Sequence, residues 1–333
     1  MNTSIVVCGQ KYDIGTKVVL WDEPGGLNAY DESKTVIQEQ DRKTGKTITT
    51  TNVGKRYSKR TFTKTYMVDL QNIVTQFFIH HSGLYHSADT FAVLQKERKL
   101  SVHFILDDDG TLYQTLDLVE CAWHGGKNNG CSVGIETDSR AMADKLPEAY
   151  NEFHQKNNKV LPHNVKLDKV QGFWAHGYEF TDPQYKTLIR LGIKLSEIFP
   201  KMKTNGKFAL DFPRDEKGRI MKGIIKEPLK HCGVIGHYQA CESKVDPIAF
   251  DHYRFLNGVV NNNPNQLPTE SWDTWRKRQE VLLFLGYNVG TIDGVFGPIT
   301  DAAVKAFQKD NGISEDNWGP KTEHMAHWNY QRP

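Results

Sequence analysis

Between residues 61 and 258 the apolar positions fall into two kinds of run. Ile73–His80 (IVTQFFIH) is short, continuous and rich in β-favouring residues, which predicts a buried strand. Ser101–Leu106 (SVHFIL) and Thr111–Gln114 read the same way, with Asp108-Asp109-Gly110 as the turn between them. Ser132–Thr137 (SVGIET) predicts another strand, and Val234-Ile235-Gly236-His237 the end of a further one. Other stretches follow the helical period. Thr90–Lys99 is one; Asp182–Phe199 is the stronger, with apolar residues at Tyr185, Leu188, Ile189, Leu191, Ile193, Leu195, Ile198 and Phe199. Strands mixed with helices predict an α/β layer fold. Residues 144–176 and 201–228 are charged and weakly periodic, and read as insertions.

The pattern changes on either side. In residues 1–60, Thr16–Asp22 reads as a strand stopped by Pro24-Gly25-Gly26. Val36–Gln40 and Thr47–Thr51 flank Lys43-Thr44-Gly45-Lys46 as an exposed hairpin. This stretch reads as an N-terminal extension packed on the main domain, residues 61–258. Residues 259–270 (VVNNNPNQLPTE) are dominated by Asn and Pro and read as a linker; residues 271–333 read as a small helical module. A length of 333 residues accommodates one large and one small domain. A formal net charge of +2 is too small to suggest nucleic acid. The five cysteines form no CxxC pair, so neither a disulfide framework nor a four-cysteine zinc site is indicated. The start, MNTSIVVCGQKYDIGTK, has no charged segment leading into a long apolar core, and no run is apolar enough to span a membrane. Synthesis in a cytoplasm without a signal peptide is expected.

Three separated pieces carry candidate chemistry: Ile79-His80-His81-Ser82, Gly236-His237 and Lys244-Val245-Asp246-Pro247. Two imidazoles and a carboxylate make a three-ligand set. Zinc held by three protein ligands keeps a fourth position open, the arrangement of catalytic sites. Neighbouring side chains of a strand point to opposite faces, so only one of His80 and His81 can reach the ion. Periodicity does not choose between them.

Four motifs in order, Ile79-His80-His81-Ser82, Ala122-Trp123-His124-Gly125-Gly126, Gly134-Ile135-Glu136 and Gly236-His237…Lys244-Val245-Asp246-Pro247, resemble the type-2 N-acetylmuramoyl-L-alanine amidases. That family includes phage endolysins, bacterial wall-recycling amidases and animal peptidoglycan-recognition proteins. The resemblance implies a mixed β-sheet flanked by helices, with Zn2+ as cofactor held by His80, His237 and Asp246. It implies that Glu136 passes the proton and Lys244 stabilises an oxyanion, both as catalytic residues. Trp123, His124 and His103 would bind substrate. The bond cut would be the amide between the lactyl group of muramic acid and L-alanine of the stem peptide. Some members have a Tyr where this chain has Val102; His103 beside it matches the members that use a Glu, which favours Glu136. The loop from His237 to Asp246 differs slightly in length from that of the recycling enzymes.

The C-terminal stretch from Gln279 through Asp293-Gly294-Val295-Phe296-Gly297-Pro298-Ile299-Thr300 to Phe307-Gln308 is similar to the type-1 peptidoglycan-binding module, a three-helix unit. Pro298 suits the first turn of a helix. Trp318-Gly319-Pro320-Lys321-Thr322 repeats the phrase Phe296-Gly297-Pro298-Ile299-Thr300, which predicts the same helix start used twice. Together the two resemblances imply a wall-lysing amidase whose partner is peptidoglycan, with no nucleic acid and no membrane insertion. It would act on the cell wall after leaving through a holin-type pore or by way of a phage-tail-like delivery machine. A recognition protein that binds without cutting is the alternative of another class, although every ligand and Glu136 are present. A cytoplasmic recycling amidase acting on soluble muropeptides would not need the anchor.

Overall fold

The apolar runs assemble into one six-stranded sheet. In chain order its strands are β1 (Val18–Leu20), β2 (Gln76–His81), β3 (Phe104–Leu106), β4 (Leu112–Gln114), β5 (Ser132–Thr137) and β6 (Gly233–Gly236). They lie side by side as β6-β2-β5-β3-β4-β1. Strands β6, β2, β5 and β3 run parallel, β3 and β4 pair antiparallel, and β4 is parallel to β1. The computed structural model describes the chain apart from residues 32–34, 41–46, 53–54, 63–65, 141–164, 203–209, 217–218, 266–274, 315–316 and 331–333.

Strand β2 is covered on both faces, which is why its apolar residues Phe77, Phe78 and Ile79 follow one another instead of alternating with polar ones. One cover is the Asp182–Ile198 helix, which begins where the sequence predicts. Thr181 caps it: the Gln184 N–H donates to Thr181 Oγ1 (3.2 Å), and the Thr181 N–H donates back to Gln184 Oε1 (2.9 Å). Its apolar face, including Leu188, Leu191 and Leu195, joins the main core with Phe77, Ile79, Ile135 and Val234 of the sheet. The His252–Val260 helix packs beside it. A Cβ at Gly258 would lie 2.5 Å from Ile189 Cδ1, so only glycine lets the two helices approach this closely.

The first twenty residues do more than lie against this domain. Val18–Leu20 is the sheet's edge strand, and Ile5, Val6, Val7 and Ile14 enter the main core. The Gln114 amide imitates a strand backbone toward them: it accepts from the Val6 N–H (2.7 Å) and donates to the Val6 carbonyl (2.8 Å). Strands Thr35–Gln40 and Thr47–Asn52 pair antiparallel as expected, and the connection 41–46 lies outside the described residues.

Other elements differ from the sequence reading. The helix expected over 90–99 starts earlier, at Ser87, because the His86 side chain accepts from the Ala88 N–H; it ends at Lys99 in the left-handed region. The end of the 144–176 stretch, read as a charged insertion of weak periodicity, enters an antiparallel hairpin of Val165–Val170 with Phe173–Tyr178. The rest of that insertion, up to residue 164, lies outside the described residues. No helix among the described residues is long and apolar enough to cross a membrane.

The C-terminal helices Trp275–Phe284, Pro298–Asp310 and Pro320–Tyr330 share a second core that includes Val281, Leu282, Val304, Phe307 and Ala326. The repeated phrase is built the same way twice. Buried Gln279 donates to the Val295 carbonyl (3.1 Å) and Thr300 Oγ1 (3.0 Å). Buried Gln308 donates to the Asn317 carbonyl and Thr322 Oγ1 (2.8 Å). Each time, a glutamine from the preceding helix fixes the loop and first turn of the next.

Candidate metal centre

Parallel pairing brings distant residues to one end of the sheet. Glu136 on β5 sits in register with His80 on β2, and on the other side Gly236 of β6 pairs with Ile79. The residue after Gly236, His237, therefore emerges beside His80. All three stand at the carboxyl ends of adjacent parallel strands, the end at which open α/β sheets place their ligands. Asp246 returns on the loop that follows.

Three donor atoms converge there. His80 Nδ1 lies 3.1 Å from His237 Nδ1 and 3.2 Å from Asp246 Oδ2, and His237 Nδ1 lies 2.9 Å from the same oxygen. Ligand atoms around a tetrahedral zinc with bonds near 2.0–2.1 Å stand about 3.3 Å apart, so the set matches such an ion in kind and spacing. No other group of three or more such ligands meets this spacing among the described residues. His80 is 2% exposed, and burial followed by the neighbouring His237 lowers its pKa to about 4. It is neutral at pH 7, the form that binds metals. Burial works against ionised Asp246, but the neighbouring His237 and His80 outweigh burial and hold it well below the usual carboxylate range. His81 points the other way and accepts from the Ile248 N–H (3.4 Å).

Behind His80 a chain of hydrogen bonds fixes its protonation. The Ser132 hydroxyl donates to the Asn128 carbonyl (2.7 Å), so toward His124 Nε2 (3.2 Å) it can only accept. His124 then carries its proton on Nε2 and accepts at Nδ1, 3.0 Å from His80 Nε2. His80 must donate there, which leaves its Nδ1 lone pair directed at His237 and Asp246. Such outer partners set the tautomer of a ligand histidine. Glycine at 134 makes room: a Cβ would lie 2.5 Å from the His124 ring. Ser132 escaped the sequence reading, although strand alternation places Ser132, Gly134 and Glu136 on one face.

The remaining candidates separate. Glu136 Oε2 is buried with no hydrogen-bond partner among the described residues. Burial, then the charges of Asp246 and Asp138, push its pKa well above the ordinary value. Lys244 is exposed on the ligand loop, near enough for its charge to act on both His80 and Glu136. Trp123 is half-buried, with its indole N–H 3.4 Å from Ser58 Oγ. His103 lies inside the fold. It is 0% exposed, accepts from the Gly134 N–H at Nδ1 (3.1 Å), and donates from Nε2 to the Glu120 carbonyl (3.1 Å). Both nitrogens are spent tying β5 to the strand before Trp123.

Asp138, two residues beyond Glu136, was not singled out by sequence. It is buried and accepts from the hydroxyls of Ser82 (3.0 Å), Ser87 (2.5 Å) and Thr90 (2.6 Å), pinning the segment that follows the His80-His81 pair. Burial, then the Asp107 charge, raises its pKa from 3.8 to about 7. The folded chain therefore holds this proton more tightly than the unfolded chain. The associated stability is complete below the unfolded value and is lost as pH rises toward 7. Asp138→Asn is expected to flatten the fall in melting temperature across that window, an effect of a few kcal/mol. An unchanged slope would assign the pH dependence to other groups.

The family model for N-acetylmuramoyl-L-alanine amidase matches residues 70–249, more than half of the chain. The chain belongs to the N-acetylmuramoyl-L-alanine amidase family. A peptidoglycan-binding domain model matches residues 273–322. By family the protein is an amidase of the bacterial cell wall that carries a wall-binding module. A comparison with curated protein sequences finds no significant match. Among solved structures the amidase is similar to the endolysin LysCS from Clostridium intestinale, at 12% identity over 56% of this chain and 83% of that one, TM-score 0.33. It is also similar to AmpDh3 from Pseudomonas aeruginosa, at 15% identity over 77% of this chain and 90% of that one, TM-score 0.35.

Proposed function

We propose that this amidase is a zinc enzyme that hydrolyses the bond between the lactyl group of muramic acid and L-alanine, and that it does so on assembled, insoluble wall. The observation that carries the reading is the convergence of His80 Nδ1, His237 Nδ1 and Asp246 Oδ2, with the Glu136 strand in register with His80 and a Glu136 oxygen buried and without a hydrogen-bond partner among the described residues. Zinc bound by these three residues would supply Lewis acidity, polarising the scissile carbonyl and acidifying a water molecule.

The chain's own groups do the rest. Glu136, held next to His80 by strand register, takes the proton of the attacking water and delivers one to the leaving amine. Its raised pKa favours that return step. Lys244, on the loop that carries Asp246, meets the negative charge developing on the carbonyl oxygen. His124 and Ser132 keep the His80 lone pair facing inward, and the half-buried Trp123 contributes an apolar wall to the groove. The wall-binding module supports a lytic role on insoluble peptidoglycan over one on soluble fragments.

Chelation tests the zinc part. Dialysis against a strong chelator should stop hydrolysis of a soluble muramoyl-L-alanine peptide, and zinc should restore it. Undiminished hydrolysis after verified removal of metal would overturn the reading.

A further inference from the structure

The hairpin of Val165–Val170 and Phe173–Tyr178 lies outside the four motifs, yet Gln171 and Asp168 both act on one target. Gln171 occupies its turn at φ 49°. The Gln171 side chain donates to the carbonyls of Tyr238 (2.9 Å) and Cys241 (2.7 Å) and accepts from the Ser243 N–H (3.1 Å). Those three residues span the loop between His237 and Asp246. Three residues beyond Asp246, the Ala249 N–H donates to Asp168 Oδ2 (3.2 Å), which also meets Lys222 Nζ (2.9 Å). A Cβ at Gly177 would lie 2.6 Å from Ile248 Cγ2, so the hairpin backbone is pressed against the same loop. One hairpin thus holds the ligand-bearing segment on both sides of Asp246.

The hairpin's other side meets the wall-binding module. His324, on the Pro320–Tyr330 helix, places Nε2 3.3 Å from Asp168 Oδ1. Its ring stands edge-on to Trp174 with centroids 5.6 Å apart, and Lys321 Nζ lies 5.7 Å from the centroid of the same indole. Asp168 is 2% exposed; burial disfavours its charge, but Lys222 outweighs burial and keeps it ionised. Burial lowers the His324 pKa to about 4, so at pH 7 it is a neutral N–H donor to that carboxylate. A carboxylate shared between the ligand loop and a helix of the module links the two.

We propose that the 165–178 hairpin is a clamp that sets Asp246 against His80 and His237, and that the wall-binding module completes this clamp through His324. The module is then a structural support of the metal centre as well as an anchor. Gln171, Asp168 and His324 are positioning residues, acting through the 237–249 loop without touching the reacting atoms. The inference rests on the zinc reading only for what the clamp positions.

The test uses the full-length chain with Gln171→Ala, His324→Ala and His324→Gln, the last retaining an N–H donor. Zinc affinity is measured by chelator competition, and hydrogen exchange of residues 238–249 is followed in the metal-free protein. Gln171→Ala should weaken zinc binding about tenfold or more, the low end for groups that orient a ligand. His324→Ala should weaken it several-fold. Both should speed exchange in 238–249 while leaving 76–81 unchanged, and His324→Gln should restore both readouts. Trp174→Ala offers a second way to loosen the same contact. Parental zinc affinity and exchange in both His324→Ala and Trp174→Ala would overturn the module's part. The same result in Gln171→Ala would overturn the clamp. If the parent binds no zinc yet the loop exchanges faster in the variants, the zinc reading fails and the clamp stands.

Discussion

His80→Ala and His237→Ala are each expected to abolish hydrolysis and to strip the protein of zinc. Each imidazole supplies one of three donors that lie 2.9–3.2 Å apart. Losing one leaves two ligands and leaves half-buried Asp246 with an unbalanced desolvation cost. Metal assistance contributes several kcal/mol of transition-state stabilisation, so the loss should be roughly a thousandfold or more in kcat/KM. His81→Ala is the comparison. Its ring is not one of the three donors but accepts from the Ile248 N–H of the Asp246 loop, so the variant should keep measurable zinc and activity where the ligand variants lose both. Zinc content by elemental analysis, with activity, checks all three. Full activity in His80→Ala or His237→Ala would remove the site.

Glu136→Gln should separate binding from turnover. The amide keeps the shape of the side chain but cannot take a proton. Zinc content should be unchanged while kcat falls by about 10²–10⁴, the usual contribution of a positioned acid–base group. Burial and the charges of Asp246 and Asp138 raise the Glu136 pKa, and a bound dication would draw it back down. In the parent, activity should fall on the acid side as Glu136 takes up a proton. That limb should flatten in the variant's residual activity. Near-parental turnover would take the proton-transfer role from Glu136.

The site was legible where neighbouring residues carry the signal. Glu136 and His80 sit on strands whose apolar runs mark them, and register then brings the two together. The choice between His80 and His81 was not legible from alternation, because β2 is covered on both faces and both histidines sit in the same run. His103 is satisfied inside the fold by groups that no local pattern names. The two backbone groups that satisfy its ring come from Gly134 and Glu120, far along the chain. The edge strand Val18–Leu20 reads locally as a strand, but its parallel pairing with Leu112–Gln114 is a long-range choice that no local pattern encodes. The 165–178 hairpin was missed because its first strand, VKLDKV, carries charge among its apolar residues, as a solvated insertion would. What places Gln171 and Asp168 is the loop they hold, which lies 70 and 81 residues on in sequence.

Mass spectrometry of the products released from purified sacculi, with and without a zinc chelator, decides whether this wall amidase uses zinc to cut between muramic acid and L-alanine. Stem peptides with a free L-alanine amino terminus are expected, lost on chelation and regained with zinc. Intact sacculi with the protein bound, or new reducing sugar ends in place of free peptides, would overturn the proposal.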